Sequence, residues 1–312
     1  MPAVRILLAI LTHHDLPRLR RALASANLQR RARGVDVEVV VVVNSLDREY
    51  ERLVVRTAAD LGVRAVATDS NGRPGRGKNA CLDLFLESGC DYLCQLDGDD
   101  WLYPTWAESV AEHLRRLPHA DALGIVPIDC LGSAEGLTFE VGQGVVAGVW
   151  GTSTAYPFDA AGPGRAPRWA EPGTTSNPDM IRLLSRPAAA RWRFDEELPI
   201  GEDTLLSLAL LSSHQRGELS YWLTMASDWM IVDRTTPGSV QRTYSHQEAL
   251  EPLRSKAAQI VDPARSSAGE LPILYPPLLL SADEKRSWIE RTWRPEAPLS
   301  RVARNRQPIA EI

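Results

Sequence analysis

The sequence predicts an α/β protein whose mainly parallel, doubly wound sheet is flanked by helices. Three observations predict it. The 312 residues are enough for one large α/β domain or two smaller domains. In the first hundred residues, short apolar segments typical of buried strands alternate with segments of helical periodicity. Hydrophobic residues make up 44% and charged residues 24% of the chain, which is ordinary for a folded protein and excludes bulk disorder.

The predicted strands of this half are continuous aliphatic runs, as expected for strands buried on both faces. They span residues 4–11, 37–43, 63–68 and 92–96. The second contains six valines and one glutamate, a composition strongly favoured in central strands.

Segments with apolar residues at helical spacing separate these strands. The predicted helices span residues 16–28, 48–61 and 77–88, and Gly62 fits the end of the second. The resulting β-α-β order implies right-handed crossovers and parallel strands. Ligands of such sheets bind beyond the carboxyl ends of the strands, so the loops at 12–15, 44–47, 69–78 and 97–100 are the candidate site.

The second half is less regular. We expect a helix from Pro104 to about residue 117, a strand at 123–128, regular structure of unspecified type at 180–184, a helix over 203–213, and one or two strands within 219–232. Residues 131–178 are rich in Gly, Pro, Ser and Thr and predict a long loop. A capping box at 281–284 predicts a helix that carries Trp288 and Trp293.

Charge and cysteine content narrow the class of protein. The chain has 35 Lys and Arg against 40 Asp and Glu, a net charge of −5, so charge-driven nucleic-acid binding is not expected. The four cysteines are too few for a disulfide framework and predict reduced core thiols. The apolar run at 6–11 is too short to span a bilayer and lacks a signal-peptide cleavage site, so we expect a cytoplasmic protein without an integral membrane segment.

The strongest local signal is Leu96-Asp-Gly-Asp-Asp100, directly after a predicted strand. Three carboxylates within four residues repel one another unless a cation compensates them. Mg²⁺ and Mn²⁺ prefer such oxygen ligands. A solvated turn is the alternative, because Asp and Gly are also common in turns.

Five segments in order resemble the family 2 glycosyltransferases of the GT-A fold, over roughly residues 4–242. They are Ile10-Leu-Thr-His-His-Asp15, Val41-Val-Val-Asn-Ser45, Gly75-Arg-Gly-Lys-Asn-Ala80, Leu96-Asp-Gly-Asp-Asp100 with Pro104, and Phe194-Asp-Glu followed by Gly201-Glu-Asp203. The resemblance implies a mixed, mainly parallel, Rossmann-like sheet and an inverting, metal-dependent transfer from a nucleotide-diphosphate sugar to an acceptor hydroxyl. It further implies a GT-A domain over 1–242, with a nucleotide-binding half at 1–104 and an acceptor and catalytic half at 105–242, followed by a C-terminal helical extension over 243–312.

The same resemblance assigns roles to matching residues. Asp203 would be the general base and Glu202 its neighbour in the acceptor site. Asp99 would be the main ligand of Mn²⁺ or Mg²⁺, with Asp97 facing the metal or the ribose. The nucleoside pocket would be lined by Thr12, Asp15 and Asn44. Because the family commonly has an acidic residue where this chain has Val43 or Asn44, the donor nucleotide stays open.

Residues 72–79 offer a competing interpretation, because Gly-Arg-Pro-Gly-Arg-Gly-Lys-Asn nearly fits the P-loop pattern of ATPases and kinases. Asn79 stands where that pattern needs a Ser or Thr hydroxyl for Mg²⁺. Under either interpretation Arg76, Lys78 and Asn79 are expected beside donor phosphates at a helix N-terminus. A third interpretation is a non-catalytic module that binds nucleotide-sugars.

Three further residues are weaker candidates. His246 would add a C-terminal ligand to the metal, as in some GT-A enzymes. Trp101 and Trp150 would stack on an acceptor sugar, with packing inside the protein as the alternative for each. The acceptor itself and any homo-oligomer stay open.

Overall fold

The computed structural model describes residues 3–102, 106–116, 120–125, 128–130, 155–157, 181–224, 230–233, 252–253, 255–257 and 259–260. Several predictions lie outside these residues: Trp150, His246, Pro104, the helix after 281 and most of the loop at 131–178. The division into domains at residue 242 likewise stays a prediction.

The first half alternates strands and helices, as the sequence predicts. Its elements are β1 (Val4–Thr12), α1 (Leu16–Gln29), β2 (Val35–Val43), α2 (Arg48–Asp60), β3 (Arg64–Ala67), α3 (Pro74–Glu87), β4 (Tyr92–Asp97) and β5 (Trp101–Leu102). The second half contributes α4 (Trp106–Arg116), β6 (Ala122–Ile125), β7 (Ile128–Cys130), β8 (Ala155–Pro157), β9 (Ile181–Ser185), α5 (Arg186–Arg191), α6 (Glu202–Gln215), β10 (Tyr221–Thr224) and β11 (Met230–Asp233).

The described strands form a main sheet in the order β3-β2-β1-β4-β9-β6-β10-β8 and a small sheet in the order β5-β11-β7. The strands β3, β2, β1 and β4 are mutually parallel. The strand β9 is antiparallel to both of its neighbours, β4 and β6. The predicted fold class, a mixed and mainly parallel sheet flanked by helices, is therefore confirmed.

Alternation along β1 explains how both faces of the sheet become covered. Leu7 and Ala9 pack into one apolar cluster with Phe85 of α3. The intervening residues, such as Leu8, pack into the opposite cluster with Trp106 of α4. Because successive strand residues point to opposite faces, an unbroken aliphatic run suits a strand that is buried on both sides.

Four details differ from the sequence-based expectations. The segment 131–178, expected as a loop, contains the strand β8, which lies at the edge of the main sheet. The strand expected at 123–128 is two strands, since β6 belongs to the main sheet and β7 to the small one. The helix α3 begins at Pro74 rather than Gly77, because proline is favoured in the first turn. The helix α5 was not expected; it is capped by the Ser185 side chain, which accepts a hydrogen bond from the amide of Ala188.

Two findings concern the described cysteines and helices. Cys81, Cys90 and Cys94 are free and buried, as the reduced-thiol interpretation expects for them. Among the described residues, none of the helices combines the length and apolarity needed to cross a membrane.

Candidate active site

The site lies where the neighbouring strands β2, β1 and β4 end together. Their last residues or the next ones are Asn44, Thr12 and Asp97. The amide of Asn44 donates to the Thr12 carbonyl at 2.8 Å, and the amide of Gly98 donates to the Leu11 carbonyl at 2.7 Å. The parallel sheet therefore places the predicted donor-binding loops side by side, at the edge where α/β sheets bind ligands.

The loop after β1 is held by hydroxyl and carboxylate contacts. The Thr12 and Tyr50 hydroxyls share a short hydrogen bond, and the Tyr50 hydroxyl also contacts the His14 carbonyl at 2.9 Å. Burial raises the pKa of Tyr50 to about 12, so its proton is kept at neutral pH. Asp15 has a left-handed φ of 68° and caps α1, accepting hydrogen bonds from both the amide and the guanidinium of Arg18. Local structure therefore fixes Thr12 and Asp15 at the rim of the predicted nucleoside pocket.

The loop after β2 is joined to its neighbours by the Asn44 side chain, which is almost completely buried. Its Nδ2 donates to the Arg73 carbonyl at 2.8 Å, and its Oδ1 accepts a hydrogen bond from Thr68 Oγ1 at 3.0 Å. The side-chain amide thus links the end of β2 to the segment between β3 and α3. It faces the protein, so its contribution to the pocket in this structure is one of shape.

The aspartate motif forms a tight turn at the end of β4. A Cβ on Gly98 would come within 2.8 Å of Thr12 Cβ, so only glycine fits without a shift. The amide of Asp100 donates to the Asp97 carbonyl at 3.0 Å. Arg21 of α1 donates to the Asp99 carbonyl at 2.9 Å. The carboxylates of Asp97 and Asp99 belong to partly exposed residues, whereas Asp100 is buried.

The donor set of this turn fits a hard divalent cation. Within the described ranges, no group of three or more His, Cys, Asp and Glu side chains is arranged around a shared cation position. Two partly exposed carboxylates are nevertheless a suitable partial set, because Mg²⁺ and Mn²⁺ keep several positions for water and phosphate oxygens. Asp97 and Asp99 are therefore the residues that would hold the predicted metal. The other predicted ligand, His246, lies outside the described residues.

The densest group of charged side chains in the site is a largely buried triad of Lys78, Glu202 and Asp203. Lys78 Nζ lies 2.7 Å from Glu202 Oε1 and 2.6 Å from Asp203 Oδ2. The Lys78 side chain is 7% exposed, against 6% for Glu202 and 30% for Asp203. Sequence reasoning expected Lys78 beside phosphates and did not foresee this pairing, which joins α3 to the first turn of α6.

Burial and charge act against each other within the triad. Desolvation would lower the pKa of Lys78, but the carboxylates of Asp203 and Glu202 outweigh it and hold the pKa above its usual value. Burial raises the pKa of Glu202 to about 7, although the Lys78 ammonium acts in the opposite direction. Asp203 is the most solvent-accessible member and is the one able to meet an acceptor.

A second network connects α3 to the segment 194–196, which leads to the catalytic candidates. The Asn79 side chain donates to the Phe194 carbonyl at 3.0 Å and accepts from the Phe194 amide at 2.9 Å. It also donates to Glu196 Oε1 at 2.9 Å, while Arg76 Nε donates to Glu196 Oε2 at 3.1 Å. These hydrogen bonds, with the Asn79 contribution the largest, lower the pKa of Glu196. Arg76 and Asn79, expected at phosphates, are thus engaged by protein groups here, and no sequence signal pointed to Glu196 as their partner.

The geometry of α3 does not support the P-loop interpretation. The residues between the two glycines of that pattern must form an open loop around phosphates. Here the helix already begins at Pro74, and Lys78 is directed to the carboxylates of α6. The segment 72–79 therefore lacks the phosphate-cradling loop on which that alternative depends.

Trp101 is not among the solvent-accessible side chains of the site. Its side chain is fully buried, and the guanidinium of Arg21 lies 3.7 Å from the ring centroid. In this conformation the ring packs against the protein rather than facing a cleft. The other predicted acceptor contact, Trp150, lies outside the described residues.

Comparisons with known proteins agree with this architecture. Residues 8–136 match the family model described as Glycosyl transferase family 2. The crystal structure of S. aureus TarS 1–349 in complex with UDP-GlcNAc is similar with a TM-score of 0.60 and 16% identity, covering 90% of this chain and 72% of that chain. The complex of the same TarS fragment with UDP gives a TM-score of 0.55 and 14% identity, covering 98% of this chain and 93% of that chain. None of the curated proteins matches this chain.

The two kinds of match carry different information. At these identities the likeness to TarS shows the fold alone. The family model adds the sequence pattern of the strand-end loops, and its range includes Thr12, Asn44 and the aspartate motif. The resemblance stated from the sequence is thereby confirmed: residues 8–136 match the pattern of glycosyl transferase family 2, and the described strands and helices form a GT-A fold.

Proposed function

We propose that this protein transfers a sugar from a nucleotide-diphosphate sugar to an acceptor hydroxyl with inversion, and that Asp203 is the general base. The observation that carries the proposal is the position of Asp203 in the first turn of α6. There it is partly exposed and is linked through Lys78 to α3. Asp97, at the end of β4, is near enough to add to the charge that raises the pKa of Lys78. The aspartate turn and the candidate base therefore both act on the Lys78 ammonium, which supports the proposal that they share one site.

This arrangement suits displacement at an anomeric carbon. Positive charge develops on the sugar and negative charge on the departing diphosphate, while the attacking hydroxyl loses its proton. A carboxylate placed opposite the leaving group can accept that proton. Asp203 lies in the first turn of α6, with its side chain partly exposed. Glu202 keeps a proton more readily than an ordinary glutamate, so we assign proton acceptance to Asp203.

The donor is expected to lie along the ends of β1, β2 and β4. Thr12 and Asp15 are proposed to line its nucleoside portion, with Asn44 shaping the pocket from below. The TarS fragment is known in complexes with UDP-GlcNAc and with UDP, which makes uridine nucleotides the first donors to test here. The absence of a carboxylate at Val43 and Asn44 leaves guanosine and thymidine donors as equal alternatives.

Asp97 and Asp99 are proposed to hold Mn²⁺ or Mg²⁺. When bound, such a cation neutralises the charge of a leaving diphosphate. Asp99→Ala should weaken the binding of UDP measured by calorimetry in the presence of Mn²⁺, and leave metal-free binding unchanged. Equal affinities in the two proteins, with Mn²⁺ and without it, would remove Asp99 from the metal site.

The base assignment is tested by Asp203→Asn. This variant keeps the shape and the ability to meet Lys78 through its amide oxygen, but it cannot accept a proton. We expect UDP binding to persist and sugar transfer to fall by about 100-fold or more. Turnover near the wild-type rate would exclude Asp203 as the base.

A non-catalytic nucleotide-sugar module remains the second candidate, because Lys78 neutralises part of the acidic pair. Release of nucleoside diphosphate separates the two functions. Wild-type protein with Mn²⁺ is incubated with UDP-, GDP- and dTDP-sugars and a panel of simple glycoside acceptors. Binding of a donor without any release would favour the module. The acceptor and the oligomeric state stay open, and the cytoplasmic location stays a prediction.

A further inference from the structure

The contacts of Lys78 span three elements of the site. Its backbone carbonyl accepts a hydrogen bond from Gln95 Nε2 of β4 at 2.9 Å. Its ammonium donates to Glu202 and Asp203 of α6 and lies 5.5 Å from the centroid of the Phe194 ring. Lys78 therefore connects two elements of the site: its backbone carbonyl contacts the strand that ends in the aspartate turn, and its ammonium contacts the helix whose first turn holds the candidate base.

The surroundings of Lys78 indicate what this connection does. Taking a lysine and a glutamate out of water costs more than their attraction usually returns, and apolar residues of similar size are often at least as stabilising. Stability alone is therefore a weak reason for an ammonium at this position. Its geometry is a better reason: the Lys78 side chain is 7% exposed, and its ammonium donates to Glu202 Oε1 and to Asp203 Oδ2, so the contact with Glu202 holds the ammonium and the contact with Asp203 fixes the direction of one oxygen of that carboxylate.

We infer that Lys78 is a positioning residue for sugar transfer: it orients the Asp203 carboxylate toward the acceptor, and Glu202 holds the ammonium in place from the other side. The inference rests on the proposed function. It assigns to Lys78 a partner other than the donor phosphates. Glu202 accordingly acts as a second anchor rather than as a second base.

A positioning residue and a phosphate ligand are expected to affect donor binding and turnover differently. A residue that orients the base is needed for the proton-transfer step and not for donor affinity. A phosphate ligand is needed for donor affinity as well. The ratio of the two effects in a lysine variant therefore separates the two roles.

The test compares Lys78→Met, Lys78→Arg and Lys78→Ala with a matched control, Arg48→Met. The control removes a cation from an exposed ion pair with Glu51, on α2. The donor is the nucleotide-sugar that wild type cleaves fastest in the release assay, and UDP is the probe for calorimetry. We expect Lys78→Met to lower kcat by about 100-fold, with KM for the donor and Kd for UDP unchanged. Lys78→Arg should regain part of the rate, and ethylammonium should partly restore Lys78→Ala. Arg48→Met should match wild type throughout.

Two outcomes would overturn the inference while leaving the proposed function intact. One is a Lys78→Met protein with wild-type kcat. The other is a variant whose Kd for UDP rises in proportion to its loss of rate, since that marks a phosphate ligand. Wild-type protein that releases nucleoside diphosphate from no donor contradicts the proposed function instead, and the inference falls with it.

Loss of folding is addressed by a second variant. Lys78→Met leaves Glu202 buried without its cation, so Lys78→Met/Glu202→Gln removes the charge imbalance. We expect this double variant to fold, to bind UDP as wild type does, and to show the same low kcat as Lys78→Met. A double variant that still fails to fold would show that Lys78 acts in folding, and a fully active one would show that Asp203 needs no positioning; either result overturns the inference.

Discussion

Replacing Gly75 by alanine tests whether close packing between α3 and the segment 194–196 sets the geometry of the site. A Cβ at this position would lie 1.9 Å from the carbonyl oxygen of Asp195 and 2.7 Å from its carbonyl carbon. Both neighbours are backbone atoms, so no side-chain rotation can relieve the contact. The helix and the segment must separate by about 1 Å before the oxygen reaches 3.0 Å, the shortest distance that real Cβ atoms show.

Two opposing contributions set the change in the free energy of unfolding. Inserting a methyl group into a packed contact costs about 1–3 kcal/mol. Alanine regains up to about 1 kcal/mol of helix propensity, less in the first turn than in the middle of a helix. We therefore expect a loss of about 1–2 kcal/mol in the free energy of unfolding. The effect on rate should be larger in proportion, because a displacement of about 1 Å at a reacting group costs about 100-fold.

Urea unfolding and the nucleoside diphosphate release assay measure the two effects. The control is Gly34→Ala, which lies in the turn before β2. There an added Cβ meets nothing within 4 Å and the only penalty is the left-handed φ of 78°. It should lose about 1 kcal/mol of stability and keep its rate. If Gly75→Ala retained both the stability and the rate of wild type, the packing argument would be refuted.

Three other substitutions test neighbouring contacts. Asn79→Ala removes the partner of the Phe194 amide and carbonyl and should cost about 2–4 kcal/mol in urea unfolding; a loss below about 0.5 kcal/mol would show that water replaces the amide. Gly201→Ala combines a φ of 88° with a Cβ only 2.9 Å from Leu253 Cδ2, so its cost of about 1–2 kcal/mol should shrink, without vanishing, in a Leu253→Ala background. Burial raises the pKa of Glu202 from 4.5 to about 7. Between these two pH values the folded state therefore binds a proton that the unfolded state has released. The stability of wild type relative to Glu202→Gln should therefore fall as pH rises through that window, and a pH-independent difference would contradict the raised pKa.

The central strands could be predicted from the sequence almost to the residue. The strand expected at 37–43 is β2, Val35–Val43, and the strand expected at 4–11 is β1, Val4–Thr12. Aliphatic and β-branched runs of this length suit a parallel sheet that is buried on both faces, so local composition and tertiary environment agree. Where a segment is too short for its composition to be informative, the sequence did not predict the element. The helix α5 has only six residues, which is too short to show a helical period.

The sequence was sufficient to predict that the strand-end loops lie side by side, but not which residues Lys78 contacts. Topology alone places Thr12, Asn44 and Asp97 at one sheet edge, because parallel neighbours end on the same side. Sequence reasoning did not foresee the partners of Lys78, because the position of this residue near a helix N-terminus favoured phosphates. Its actual partners, Glu202 and Asp203, lie 124 and 125 positions further along the chain, and no local pattern encodes a pairing of that range.

Physical reasoning explains which partner Lys78 takes. A buried ammonium requires negative charge within hydrogen-bonding distance at all times, whereas a donor diphosphate is present only when substrate is bound. Two permanent carboxylates meet that requirement, and a phosphate does not. The lysine that the sequence places near the donor is therefore committed to the acidic pair before any ligand arrives. This is why the fold itself sets the position of the candidate base, and why substitutions at Lys78 should act on turnover rather than on donor affinity.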